Sequence, residues 1–287
     1  MTSKQQTIIV TGANGFIGSA LVAHLAEQGN RIIGFVRNPP TDTSEVRYVR
    51  YSLGDEVPEA AFEEAHAIVH CAFVRHGRIA ADSDQINLGG TRDLLNLSRR
   101  HNTKFVFLSS IAAAPDAMSH YGRHKHAIEG MFDLTCDLVL QPGLVIGNGG
   151  LAKQMATVLR SRVIPLLDSG RQSVQPVTVA DLVRVISQGI NAGISGRFRI
   201  ADSPTTMKSV YDAICERIDT KPFFIPVPIA LMLPMFRIGE ALRLPMPFST
   251  ENLLGLKGMK MVETGDDLQP FGITLEDYRI ALAALEV

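Results

Sequence analysis

The sequence predicts an α/β fold built on a doubly wound parallel sheet, and three observations carry that prediction. Short apolar runs alternate with helix-periodic segments as far as about residue 147. The first run, Ile8-Ile9-Val10, feeds a glycine-spaced turn, Thr11-Gly12-Ala13-Asn14-Gly15-Phe16-Ile17-Gly18, which opens a helical pattern. The links between segments are short. Segments 7–10, 31–36, 46–51, 67–70, 104–108 and 138–140 read as buried strands, and 15–28, 59–65, 82–100 and 120–132 as the helices between them. Right-handed crossovers then cover both sheet faces with helices and leave ligands to the carboxyl ends of the strands.

Beyond Gly147 the pattern loosens. A helix at 151–160, a turn at Ser169-Gly170, the segment Gln175-Pro176-Val177-Thr178-Val179, a helix at 181–191 and a strand at 196–200 follow in order. From about residue 203 come helices punctuated by prolines and rich in methionine (Met232, Met235, Met246, Met259, Met261), which serve either as plain core or as an adaptable apolar wall for a substrate.

The 287 residues suffice for one large domain, or for one with a smaller appendage. A composition that is 46% hydrophobic and 20% charged is that of an ordinary core-and-surface protein. The net charge of -1, from 28 basic and 29 acidic residues, offers no nucleic acid and no anionic membrane a partner surface. Cys71, Cys136 and Cys215 are odd in number and far apart, which excludes a disulfide framework and points to a reducing compartment. Residues 1–7 are polar and lack signal- or transit-peptide character, and the apolar stretch 223–236 is short and broken by Pro226, Pro228 and Pro234. The expected location is the cytoplasm.

Gly12, Gly15 and Gly18 are spaced to accept a dinucleotide pyrophosphate. The first allows the tight turn, the second a close backbone approach, and the third the packing of helix on strand. The helix N-terminus adds unpaired N–H groups and a favourable dipole. Strand two ends in Arg37-Asn38, with no carboxylate where a ribose 2′-hydroxyl is usually bound, and a guanidinium suits a 2′-phosphate. The expectation is NADP in preference to NAD. About a hundred residues on, Tyr121-Gly122-Arg123-His124-Lys125 sets a phenol four residues before an ammonium, on one helix face. The positive charge favours the phenolate of a group that otherwise ionises near pH 10, so Tyr121 can pass a proton at a carbonyl or alcohol carbon. His120, His124 and His126 lie nearby, but the glutamate of H-E-x-x-H is absent and no third ligand is apparent, so no metal is expected.

This ordered series makes the chain resemble the extended branch of the short-chain dehydrogenase/reductase superfamily, often called the NAD-dependent epimerase/dehydratase family. The matching residues are Thr11 to Gly18, His70-Cys71-Ala72, Asn87 with Gly90-Thr91, Ser109-Ser110, Tyr121 and Lys125, Pro142-Gly143 and Val179-Ala180-Asp181. They span roughly residues 7 to 215. The resemblance implies a Rossmann-like dinucleotide-binding domain over 1–147 that carries the catalytic Tyr and Lys. Residues 148–287 would form a smaller, mainly substrate-binding cap, with some segments returning to the first domain. It implies that Thr11, Gly12, Asn14, Gly15, Phe16, Ile17, Gly18, Arg37, Asn38, Leu53, Asp55, Cys71, Ala72, Phe73, Asn87, Pro142 and Gly143 line the cofactor, with Asp55 at the adenine amino group. By the same resemblance Lys125 also bonds the nicotinamide ribose, Asn87 lines the cofactor and proton path, and Ser110, or its neighbour Ser109, orients the substrate oxygen. Family members often pair through two helices, and segments 82–100 and 120–132 have apolar positions that permit a homodimer.

The pattern breaks at three positions. Gln141 and Leu144 stand where nucleotide-sugar epimerases of this family usually carry arginine and asparagine, and Val174 replaces an arginine before the Val-x-Asp segment. These losses weaken a UDP-sugar as substrate, although Arg160, Arg162 and Arg171 are available to compensate. Three readings stay open: an NADP(H)-preferring reductase of a sugar, nucleotide-sugar or small ketone; an epimerase or dehydratase that retains NAD; and a non-catalytic dinucleotide-binding sensor or assembly protein.

Overall fold

The structure, a computed structural model, describes residues 5–74, 80–242, 244 and 249–285. In chain order the elements are β1 (Thr7–Thr11), α1 (Phe16–Glu27), β2 (Arg31–Val36), β3 (Val46–Arg50), a single 3₁₀ turn (Glu59–Ala61), β4 (Ala67–His70), α2 (Ala80–Arg100), β5 (Lys104–Leu108), α3 (His120–Glu129), β6 (Leu138–Pro142) and β7 (Leu144–Ile146). There follow α4 (Gly150–Val158), β8 (Val163–Leu167), β9 (Ser173–Val174), β10 (Pro176–Thr178), α5 (Val179–Asn191), β11 (Gly196–Ile200), β12 (Thr205–Thr206), α6 (Met207–Arg217), β13 (Phe223–Val227), α7 (Ile229–Ala241), α8 (Thr250–Lys257), α9 (Gly265–Leu268) and α10 (Tyr278–Ala283).

Seven strands form one sheet in the order β11-β6-β5-β4-β1-β2-β3, and each of the five pairings from β6 through β3 is parallel. The expected doubly wound α/β sheet is therefore present. Its strand order reverses between β1 and β4, which is where such sheets bind their ligands. Strands buried on both faces read as unbroken apolar runs, as TIIVT in β1 and AIVH in β4 do. Helix α1 turns Gly18, Leu21, Val22 and Leu25 inward at helical spacing.

The chain divides into two compact units, each discontinuous in sequence. The first comprises Met1–Ser109, Ala127–Leu140 and Val183–Phe198. Its core joins Ile9, Ile33, Phe35, Ile68, Phe105 and Phe107 from the strands with Leu94 and Leu97 of α2 and Ile128 of α3. The second comprises Ser110–His126, Gln141–Leu182 and Arg199–Val287. Its core gathers Met155, Ile164, Val174, Val210, Ile214 and Leu282. Among the described residues no helix is long and apolar enough to cross a membrane.

Several elements differ from the sequence expectation. Segment 59–65 forms one 3₁₀ turn and no helix, because the chain bends at once to bury Phe62 and Ala65 before β4. Helix α3 stops at Glu129, short of 132, with Gly130 next in line. Segments 163–167 and 223–227 pair as a parallel two-stranded ribbon. Their prolines, Pro165 and Pro226, obscure a strand pattern, yet a two-stranded ribbon has free edges where a missing N–H costs nothing. Met232 is buried whereas Met235 and Met261 are exposed, and Met246 lies outside the described residues.

Asp137, fully buried, accepts from both terminal nitrogens of Arg99 and from the Asp133 N–H, which ties α2 to the entry of β6. Asp137→Ala is expected to destabilise folding by about 2 kcal/mol, since it removes charge-assisted bonds and strands a donor. Urea unfolding measures this, and an unchanged midpoint would refute it.

Candidate active site

The turn after β1 is built from close backbone approaches. Gly12 has φ +66°, and a Cβ there would meet the Ala72 N and Cα at 3.1 Å. A Cβ on Gly18 would fall 2.1 Å from the Gly12 carbonyl oxygen, so α1 packs against the turn only with hydrogen at that position. Gly15 is the N-cap of α1; no side chain caps it and no acidic residue lies in the first turn. The first-turn N–H groups are accordingly left for an anion. These features fit a dinucleotide pyrophosphate. Asn14 and Gly15 are exposed, and Phe16 and Ile17 half-buried.

A buried network fixes the two loops at the sheet's switch point. Thr11 Oγ1 accepts from the Ala72 N–H at 3.1 Å and lies 2.7 Å from His70 Nδ1. His70 Nε2 lies 3.1 Å from Thr91 Oγ1, which donates to the Asn87 carbonyl at 2.7 Å. Thr91 therefore accepts from Nε2, which carries a proton. The Asn87 amide is engaged at both ends by the Val74 backbone, accepting at 2.8 Å and donating at 2.9 Å. Its local work is thus to hold the loop that carries Cys71, Ala72 and Phe73, all half-buried.

At the ends of β2 and β3 a polar cavity of about 410 Å³ is lined by Arg37, Asn38, Arg50, Tyr51, Ser52 and Asp55. Arg50 was not singled out from the sequence. The β2–β3 register pairs it with Val36, the residue before Arg37, which sets both arginines at the same cavity. Burial pushes the Tyr51 phenol well above its ordinary range, with Asp93 and Asp55 adding to the effect. Leu53 is buried against Gly90, where a Cβ would reach 2.7 Å from Leu53 Cδ2, so its side chain is spent on packing.

The second unit holds the phenol and the ammonium. Tyr121 and Lys125 lie one turn apart on α3, Tyr121 half-exposed and Lys125 buried. Gly122 presses that turn onto the preceding loop, since a Cβ would sit 2.4 Å from the Ala112 carbonyl oxygen. Ser110 is half-exposed and its Oγ accepts from the Ala112 N–H at 3.2 Å, which leaves its own proton for a substrate oxygen. Ser109, in the first unit, is buried and donates to the Glu129 carboxylate, which also meets Arg197 at 3.2 Å. Of the two hydroxyls, Ser110 is the more exposed. His120 and His124 stack at 5.9 Å. Pro142 is buried, and Gly143 has a packing explanation: a Cβ would fall 2.0 Å from the Gln175 carbonyl oxygen, which accepts from Leu144 N–H at 2.8 Å. Val174 is buried in the second core and Leu144 packs against it.

Comparison with known proteins places this architecture among extended short-chain dehydrogenase/reductase folds. MoeE5, solved with UDP-glucuronic acid and NAD, superposes with a TM-score of 0.74 over 97% of each chain at 19% identity. The UDP-glucose 4-epimerase of Thermotoga maritima, solved with UDP-glucose, gives 0.74 over 97% of this chain and 96% of its own, also at 19% identity. By sequence, the ceramide reductase of Caulobacter vibrioides is 29% identical over 58% of this chain, which spans only 55% of that protein's length. A probable low-salt glycan biosynthesis reductase of Haloferax volcanii is 24% identical over 73% of this chain and 79% of its own. The model of the NAD dependent epimerase/dehydratase family matches residues 8–200, and the chain belongs to that family.

Gly18→Ala separates the cradle from simple helix content. Alanine raises intrinsic helix propensity by about 1 kcal/mol, yet its methyl collides with the Gly12 carbonyl. Calorimetric titration with NADP⁺ is expected to show affinity lowered about tenfold or more; undiminished affinity would contradict the cradle.

Proposed function

We propose that the chain is an NADP(H)-preferring oxidoreductase that interconverts a carbonyl and an alcohol on a small molecule, with a sugar or nucleotide-sugar as the leading substrate class and a small non-sugar ketone next. The observation that carries the reading is the cavity shared by Arg37, Arg50 and Asp55. Two exposed guanidiniums suit a 2′-phosphate, while a carboxylate in the same cavity suits the adenine amino group. The first-turn amides of α1 would hold the pyrophosphate, and the 71–74 loop would line the remainder.

When bound, the nicotinamide dinucleotide supplies the hydride exchange. Tyr121 passes the proton to or from the substrate oxygen, Lys125 favours its phenolate and holds ribose, and Ser110 donates to the same oxygen and steadies its developing charge. Asn87 enters as the residue that holds the 71–74 loop.

A second reading is a nucleotide-sugar epimerase or dehydratase with retained NAD, favoured by the likeness to MoeE5 and the Thermotoga enzyme over nearly the whole chain. Against it, two of the positions where such enzymes usually contact the nucleotide-sugar are Leu144 and Val174, both used in packing.

Two measurements test the proposal. Arg37→Ala and Arg50→Ala are each expected to weaken NADPH binding about tenfold while changing NADH binding less than about threefold, the signature of a lost charge-assisted contact to phosphate. Equal losses for both cofactors would overturn the preference. Tyr121→Phe is expected to reduce turnover by about 100-fold or more in a screen of sugar-nucleotides and simple ketones, with NADPH affinity retained. Undiminished turnover would remove the tyrosine from the chemistry.

A further inference from the structure

Helix α3 begins at His120, and its first amides need partners. Ser119, buried just before it, accepts from the Gly122 N–H at 3.1 Å. The two amides ahead of that one are taken by a residue far along the chain: Glu251 Oε2 accepts from His120 N–H at 2.7 Å and from Tyr121 N–H at 3.3 Å. Glu251 lies in the first turn of α8, whose placement is fixed from several sides. Ser249 and Asn252 form a capping box, and the Thr250 N–H donates to Glu240 of α7 at 2.6 Å. Gly255 and Gly258 bring α8 and its end close to Ser119 and Met118, where added Cβ atoms would stand 3.8 and 3.0 Å away. The Lys260–Asp116 pair at 2.6 Å is exposed and adds little.

We propose that Glu251 is a positioning residue for Tyr121: its carboxylate, delivered by α8, clamps the first two amides of α3 and so sets the place of the phenol-bearing residue. That clamp has two separable effects. Its hydrogen bonds hold the turn. Its negative charge opposes the positive end of the helix, which by itself would favour a phenolate at this position. Besides Tyr121, the charged or titratable groups on the two elements concerned are His120, Arg123, His124, Lys125, His126 and Glu129 of α3 and Glu251 and Lys257 of α8, with Glu240 of α7 bonded to the Thr250 N–H and Lys260 and Asp116 paired nearby. Removal of the Glu251 negative charge is therefore expected to favour the phenolate.

The importance of the clamp to turnover rests on the role proposed for Tyr121, but its test does not use turnover. The chain has no tryptophan and five tyrosines, so tyrosinate absorbance is readable directly. Burial pushes Tyr211 up to about 12 and Tyr51 higher still. The Tyr121 titration is obtained as the difference between each protein and its Tyr121→Phe counterpart. In Glu251→Gln, which keeps an acceptor and loses the charge, the midpoint is expected to fall by about half a pH unit. In the same variant the amides of His120 and Tyr121 should stay slow to exchange with deuterium. Glu251→Ala should shift the midpoint likewise and speed those amides by about tenfold. Unchanged midpoints in both variants, or unchanged exchange in Glu251→Ala, would overturn the proposal; should the alanine variant not fold, the glutamine shift alone decides. A Tyr121→Phe protein that keeps full turnover would instead overturn the chemistry and leave the clamp standing.

Discussion

The first unit depends on how closely two backbone segments approach at the point where its strand order reverses. Gly12 lies against Ala72 with room for a hydrogen and nothing larger, and the Thr11 hydroxyl accepts the Ala72 amide. A side chain at Gly12 or Gly18 would separate the turn from the β4 loop or from α1. The uncapped helix end would then lose its setting. The Thr11–His70–Thr91 chain links the two loops, with Thr91 donating to the Asn87 carbonyl and so accepting from His70 Nε2. Asn87 extends the same restraint to Val74.

The second unit uses a different device. Its strands are short ribbons, and tertiary hydrogen bonds from side chains do much of the stitching. Gln175 bonds the Val262 backbone in both directions, and Asp181 accepts from Thr178 and from the Glu276 N–H. Glu251 belongs to this pattern, an acidic side chain from late in the sequence closing the head of an earlier helix. Such contacts hold backbone in place, which is what the proposed role of Tyr121 would require.

Much of the sheet could be read from the sequence because fully buried parallel strands advertise themselves. Runs such as Arg31–Val36 and Lys104–Leu108 are apolar nearly throughout, and glycine spacing marks the first turn. The glycine triad and the Tyr121–Lys125 pair stand out in the sequence because their spacing is local, and the structure sets the first at the turn into α1 and the second one helical turn apart on α3. What escaped depends on pairing across the chain. Arg50 reaches the cavity of Arg37 through strand register, Glu251 reaches Tyr121 through the placement of α8, and β8 pairs with β13 despite a proline in each. The helix expected at 59–65 failed because burial of Phe62 and Ala65 outweighed local propensity. Leu53 and Gly143 were legible as motif residues, yet their packing against Gly90 and Gln175 was not.

The central claim is that the first-turn amides of α1 receive the dinucleotide pyrophosphate. An amide-resolved NMR titration with NADP⁺ tests it most directly. The account predicts that the signals of Phe16, Ile17 and Gly18 move furthest and saturate together with those of 71–74. Saturable binding that leaves the three α1 amides unmoved would contradict it.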